Sequence, residues 1–245
     1  LPPALWVLLT ITGIFQTVYY VGLAGAYRRG DISLAYPFVR ALPVVFVAAL
    51  SALLSIGDPL SRGGVAGITL VVIGCLVLPL PNFHELHWRA YLNPMIPLAL
   101  LAAFGTVGYT LIDNQALTIL RGLSSASNEN TIFTLLFLAL ETKATTLMLA
   151  IYTLTLPSER ARLQITWNNG RSKAALAGIL ITVTYGLVLL AMNFASNISY
   201  IVAFRQLSIP LAALLGFIVL KEPTTPPKIA GIALVFGGLV LVGIS

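Results

Sequence analysis

Charge is scarce in this sequence. Asp, Glu, Lys and Arg make up 9% of its 245 residues, against about 25% in soluble domains, too few to cover a water-facing globule. Histidine is almost absent, with two residues, so acid–base catalysis and imidazole metal sites have little to work with. The one cysteine, Cys75, sits in an apolar run. It leaves no disulfide framework and no thiolate metal site. A phosphate-binding glycine loop, a dinucleotide fingerprint and a Ser-His-Asp set are all missing. The chain is therefore not expected to be an enzyme, and no catalytic residue, metal ligand or cofactor is expected. The net charge of +6 is not read as a nucleic-acid footprint, because in a chain this apolar the question is which loops hold the basic residues.

What the sequence has in abundance is hydrophobicity. The apolar fraction is 58% and the mean hydropathy is +0.94. Disorder is excluded by these long apolar runs, and an integral membrane protein follows. A helical crossing needs about 20 mostly apolar residues. Eight stretches qualify, at 4–25, 32–55, 64–80, 95–119, 131–156, 174–194, 198–220 and 227–244. Turn signals at Arg28-Arg29-Gly30-Asp31, Gly57-Asp58-Pro59, Pro79 to Pro94, and Lys221 to Pro227 separate them. The runs lack the alternation of a membrane barrel.

Basic residues set the expected orientation. One side holds Arg62 and Arg121, two in all. The other holds nine: Arg28, Arg29, Arg89, Arg160, Arg162, Arg171, Lys173, Lys221 and Lys228. The positive-inside rule places the nine-charge side in the cytoplasm, with both ends of this chain facing outward. The chain begins at Leu1, with no basic segment or cleavage site before the first apolar run. A processed N-terminus or an incomplete sequence is the expectation.

The stretch from Ile32 to Leu78 recurs from Ile198 to Val242, at offsets between 164 and 167. Ile32-Ser33 matches Ile198-Ser199, Arg40 matches Arg205, and Pro43 falls near Pro210. Asp58-Pro59 matches Glu222-Pro223, while Gly67 and Gly74 match Gly231 and Gly238. Five helices separate the copies, an odd number, so the copies cross in opposite directions. Inverted repeats of this kind underlie alternating access in many secondary transporters. A period of five implies ten helices where eight are visible. The expected fold is an all-α integral membrane protein, a bundle of eight transmembrane helices from an inverted 5+5 repeat whose first two helices are missing. Residues 1–83 carry the last three helices of the first half, and 94–245 form the complete second half.

Several of these stretches resemble the EamA-type members of the drug/metabolite transporter superfamily. They are Gly30-Asp31-Ile32-Ser33-Leu34-Ala35-Tyr36-Pro37 leading to Arg40, the Tyr109–Asp113 segment, Phe204-Arg205-Gln206-Leu207-Ser208, and Leu220-Lys221-Glu222-Pro223. The resemblance implies ten helices as five plus five, with small metabolites, amino acids or drugs as substrates. It also implies cytoplasmic termini, opposite to the charge count. Export is the commoner role among such proteins.

Ionisable groups inside spans cost at least about 2.5–3.5 kcal/mol each on insertion scales, and five occur: Arg40, Asp113, Glu141, Lys143 and Arg205. Arg40 lies about 12 Å into the second span and Arg205 about 10 Å into the seventh, from the opposite side. A guanidinium holds a carboxylate or phosphate bidentately, so Arg40 and Arg205 are the expected contacts to substrate charge. Locking helices through backbone carbonyls is the plainer role for both. Asp113 is expected to pair with Arg205. Asp113 and Glu141 are the expected ion-coupling groups, Glu141 by exchanging a proton. Lys143, two residues on, projects about 200° away from Glu141 and cannot pair with it. The alternative for Glu141 is an arginine, or Lys143 of another copy. Tyr36 and Tyr109, near the motif charges, join the substrate-binding set. Gln16, Tyr19, Tyr20 and Tyr185 also stand on spans, the adjacent pair Tyr19-Tyr20 as interfacial anchors. Pro37, Pro43 and Pro210 suit kinks beside a cavity. The Gly63/Gly67 pair and the Gly67/Gly74 and Gly231/Gly238 spacings suit close packing of each half's last helix. His84-Glu85-Leu86-His87 lacks metal-site spacing and reads as loop surface.

The function expected is a secondary active transporter of a small organic solute such as an amino acid or organic anion, working by alternating access in a bacterial inner membrane. Its expected partners are that solute, the lipid bilayer, and a second copy or larger membrane complex, with no nucleic acid. The competing reading is a non-transporting membrane subunit of the same fold, docked in a larger complex.

Overall fold

The computed structural model describes residues 2–29, 32–78, 80, 82–83, 95–123, 127–219 and 225–244. Among these the chain is helical, without a strand. In order come α1 (Pro3–Arg29), α2 (Ile32–Leu53), α3 (Arg62–Val77), α4 (Met95–Leu123), α5 (Ser127–Thr155), α6 (Pro157–Met192), α7 (Ile198–Phe204), α8 (Ser208–Val219) and α9 (Pro226–Gly243). A 3-10 turn at Arg205–Leu207 joins α7 to α8 without a gap, so these two make one apolar segment and the eight expected segments are all helical. Helices α1, α4, α5, α6 and α9 are long and apolar enough to cross a membrane. The remaining apolar helices, Arg40–Leu53, Arg62–Val77 and Ile198–Leu211, are shorter.

Local structure departs from expectation in three places. Residues 157–173, read as a loop from their polarity, are the first half of the 36-residue α6. Pro157 sits in the first helical turn, where its missing N–H is harmless, and Glu159, Arg160, Ala161, Arg162 and Leu163 are good helix formers. Helical geometry lapses inside α6 at Gly170 (φ −147°, ψ 18°). The seventh segment is broken by its 3-10 turn. Pro210 offers no N–H to the Gln206 carbonyl, and its ring crowds that carbonyl; the chain tightens over Arg205–Leu207. Helix α2, by contrast, runs as one helix through Pro37 and Pro43, so a proline break is seen at Pro210 alone of the three. The His84–His87 loop, Arg89, Gly30-Asp31, Leu220 to Pro223, and the side chains of Tyr36 and Pro37 lie outside the described residues.

The chain forms two compact units, Leu1–Thr17 with Gly108–Phe194, and Val18–Val107 with Ala195–Ser245. They interleave along the sequence, whereas the expected repeat halves are contiguous.

In the first unit, glycines let helices approach. A Cβ on Gly108 of α4 would stand 2.1 Å from the Phe15 ring of α1, and one on Gly186 of α6 would stand 2.8 Å from Leu138 of α5. A Cβ on Gly13 of α1 would stand 3.2 Å from the Ala144 backbone of α5. Leu5, Leu117, Leu189 and Met192 fill the space between. Arg121 caps the end of α6, donating from Nη1 to the Met192 carbonyl at 3.2 Å.

In the second unit, α3 and α9 meet backbone to backbone. A Cβ on Gly67 would lie 2.6 Å from the Gly238 carbonyl, and one on Gly238 would lie 2.6 Å from the Gly67 carbonyl. Gly74 stands in the same relation to the Gly231 carbonyl at 2.8 Å, and Gly231 to Leu78. The sequence therefore assigns these glycines correctly to helix packing. The second half of α1 packs on the first half of α4, where Tyr19 and Leu23 cover Ala99 and Ala102.

A polar joint ties the 54–60 loop to the start of α7. Asn197 caps α7 by accepting from the Ser199 N–H at 2.8 Å, and its amide donates to the Asp58 carbonyl at 2.7 Å. Gly57, at φ +77°, permits the turn, and the Asp58 N–H reaches the Ser196 carbonyl at 3.0 Å. Asn197→Ala removes the cap and the bond to the Asp58 carbonyl. The expected loss is about 1–2 kcal/mol, read as earlier thermal unfolding of the detergent-solubilised protein.

Candidate functional site

Buried polar side chains concentrate in the first unit, where α1, α4 and α5 contribute them and α6 adds the half-buried Tyr185. Asp113 of α4 is 0% exposed and Glu141 of α5 is 1% exposed. Both Asp113 carboxylate oxygens accept a bond: Oδ1 from the Thr12 hydroxyl at 2.6 Å, and Oδ2 from the Tyr185 hydroxyl. Gln16 donates from Nε2 to Glu141 Oε1, and its own Oε1 accepts from the Thr145 hydroxyl at 2.8 Å. These two partners fix the orientation of the Gln16 amide. The Asp113 and Glu141 carboxyl groups are neighbours, and Glu141 Oε2 receives no donor. Tyr109 meets Tyr185 edge to face, with ring centroids 5.6 Å apart and planes at 85°.

The site follows from helical spacing. Thr12 and Gln16 are four residues apart on α1, Tyr109 and Asp113 on α4, and Glu141 and Thr145 on α5. Residues at i and i+4 share a helix face, so each helix offers one polar pair on an otherwise apolar surface. The glycines that bring these helices together are neighbours of the polar groups: Gly13 follows Thr12, Gly108 precedes Tyr109, and Gly186 follows Tyr185. Glu141 stands fourteen residues from either end of α5, about 21 Å along the axis.

The two acidic residues expected to couple ions thus come together, with Tyr109 beside them through Tyr185. Gln16 and Tyr185 join them. Thr12 and Thr145 were not singled out from sequence, although their i, i+4 spacing to Gln16 and Glu141 is the signal that marks them. Lys143 is exposed while Glu141 is buried, as their angular separation requires. Arg40 and Arg205 belong to the second unit, Arg40 half-buried near Cys75 and Arg205 in the 3-10 turn; both engage other groups. Asp113 and its expected partner Arg205 therefore fall in different units. Tyr19 and Tyr20 also lie in the second unit, rings 5.0 Å apart.

No protein-family model matches the chain, and no curated protein matches it. Its fold is shared with solved structures. One protein known from a crystal structure superposes with a TM-score of 0.67 at 18% identity, over 100% of this chain and 77% of that one. Identity this low speaks for the fold alone.

Proposed function

We propose that this chain is a proton-coupled secondary transporter of a small organic solute, built on the inverted repeat of the EamA type. The observation that carries the reading is the buried Asp113–Glu141 pair at the middle of apolar helices. Ionisable groups at such depth are expensive and are kept where they serve an ion or substrate path. The pair holds one proton. Thr12 and Tyr185 stabilise the Asp113 carboxylate when that proton leaves, and Gln16 does the same for Glu141. Substrate charge is met by Arg40 and Arg205, whose guanidinium groups suit carboxylate or phosphate. Tyr36 and Tyr109 complete the substrate-binding set.

The glycine contacts support the repeat. Gly67 corresponds to Gly231 and Gly74 to Gly238, an offset of 164 residues. Exchanging correspondents turns the Gly67–Gly238 contact into Gly231–Gly74, which is also a contact. The Gly74–Val235 contact turns into Gly238–Val71, also present. Paired contacts closed under exchange are what a two-fold axis between copies produces.

The test is flux in sealed vesicles across a panel of amino acids and organic acids, with and without an imposed pH gradient. At least one solute is expected to accumulate only with the gradient present. An absence of flux for the whole panel would favour the docked, non-transporting subunit instead.

A further inference from the structure

The first half of α6 has work to do that solute transport does not give it. Helix α6 holds 36 residues, about 54 Å of helix, while the hydrocarbon core of a bilayer is about 30 Å thick. Its apolar run from Ala174 to Met192 is enough to fill that core. Pro157 to Lys173 therefore lies outside it. Within this segment stand four basic residues, Arg160, Arg162, Arg171 and Lys173, against the one acid Glu159. All four basic residues are exposed. Leu163 and Trp167, four residues apart, share one side of the helix. Each is exposed, Trp167 at 66%. Between this segment and the apolar run the helical geometry lapses at Gly170. A Cβ placed there meets nothing within 4 Å, so the space beside Gly170 is open.

The geometry points to residues 157–173 as a membrane-surface arm that binds the anionic headgroups of the leaflet from which α6 emerges. Arg171 and Lys173 sit at the boundary of the apolar run, at headgroup level. Turned at Gly170, the arm lays Leu163 and Trp167 into the boundary between headgroups and acyl chains, the depth at which amphipathic helices and tryptophan settle. Arg162, which stands off to the side of that face, then lies along the phosphates. Each basic residue held near an anionic surface adds about fivefold to its occupancy. Charge complementarity selects lipid, because this is the side holding nine of the loop basic residues and the cytoplasmic leaflet is the anionic one. The inference rests on the membrane reading and not on transport, so a chain that carries no solute still meets it.

The test uses the whole chain with Trp6→Phe and Trp88→Phe, leaving Trp167 as the one tryptophan. The protein is reconstituted in phosphatidylcholine vesicles, with or without about one-third phosphatidylglycerol. Trp167 emission is expected to shift to shorter wavelength in the anionic vesicles, with quenching by lipids brominated near the headgroup. About 0.5 M NaCl is expected to weaken both effects, since the Debye length falls to a few ångströms. A variant carrying Arg162→Gln, Arg171→Gln and Lys173→Gln should lose the dependence on lipid charge. Arg160 is kept because its guanidinium donates to the Leu154 carbonyl at the end of α5. A water-exposed emission in both vesicle types overturns the proposal. So does an equal shift in both, which would mark an apolar contact without headgroup recognition. An unchanged triple variant that elutes as the parent does on size exclusion overturns it as well.

Discussion

A Glu141→Gln protein is expected to bind and exchange solute while losing all accumulation driven by a pH gradient. Glutamine keeps the carbonyl oxygen that accepts from Gln16, and its amide N–H donates to the Asp113 carboxylate. The variant therefore reproduces the protonated pair in shape and hydrogen bonding but has no proton to release. Its thermal stability in detergent should equal the parent's, because the hydrogen bonds of the protonated pair are kept. Counterflow between labelled and unlabelled solute should persist, whereas net uptake under a pH gradient should fall to the level of protein-free vesicles. Lys143→Gln, on the exposed side of the same helix, is the control and should leave coupling intact. Gradient-driven accumulation undiminished in Glu141→Gln would remove the carboxyl pair from the coupling mechanism.

The second large effect concerns two adjacent glycines of α9 that behave oppositely. Gly238→Ala puts a methyl group 2.6 Å from the Gly67 carbonyl and 2.8 Å from the Val71 N–H. Both are backbone atoms of α3 and cannot turn aside, so the helices must part along the seam. The expected cost is about 1–3 kcal/mol, the range for overpacked cores, with a lower melting temperature in detergent. Gly237→Ala meets nothing within 4 Å. It removes glycine from the middle of a helix and is expected to stabilise by about 0.5–1 kcal/mol. Equal effects from the two substitutions would contradict the seam.

Helix positions and the burial of Asp113 and Glu141 were legible from the sequence because both follow from hydropathy. An apolar run of about 20 residues has few alternatives to a buried helix, and an acid within it has few alternatives to an inward face. The glycine seam was legible for a similar reason, since spacings of four and seven return to one helix face. Thr12 and Thr145 were not. A threonine in an apolar helix satisfies its hydroxyl on the carbonyl four residues earlier, as Thr17 and Thr69 do here, and spacing does not say which threonine reaches across to a carboxyl instead. The helical start of α6 was obscured by its polarity, which reads as loop when hydropathy is the guide. The 3-10 turn at Arg205 comes from Pro210, five residues downstream, and Pro37 and Pro43 carry the same residue type without a break.

The reciprocal contact of α3 and α9 also bears on how the molecule can move. Sliding one helix along the other by a single residue would bring a side chain, in place of Gly67, Gly74 or Gly231, against the facing backbone. The seam therefore holds α3 and α9 in one register, so that the two helices behave as one piece. Spectroscopic labels on the ends of α3 and α9 are expected to keep a constant separation whatever the rest of the molecule does. That pair supplies an internal ruler for distances measured elsewhere in the protein.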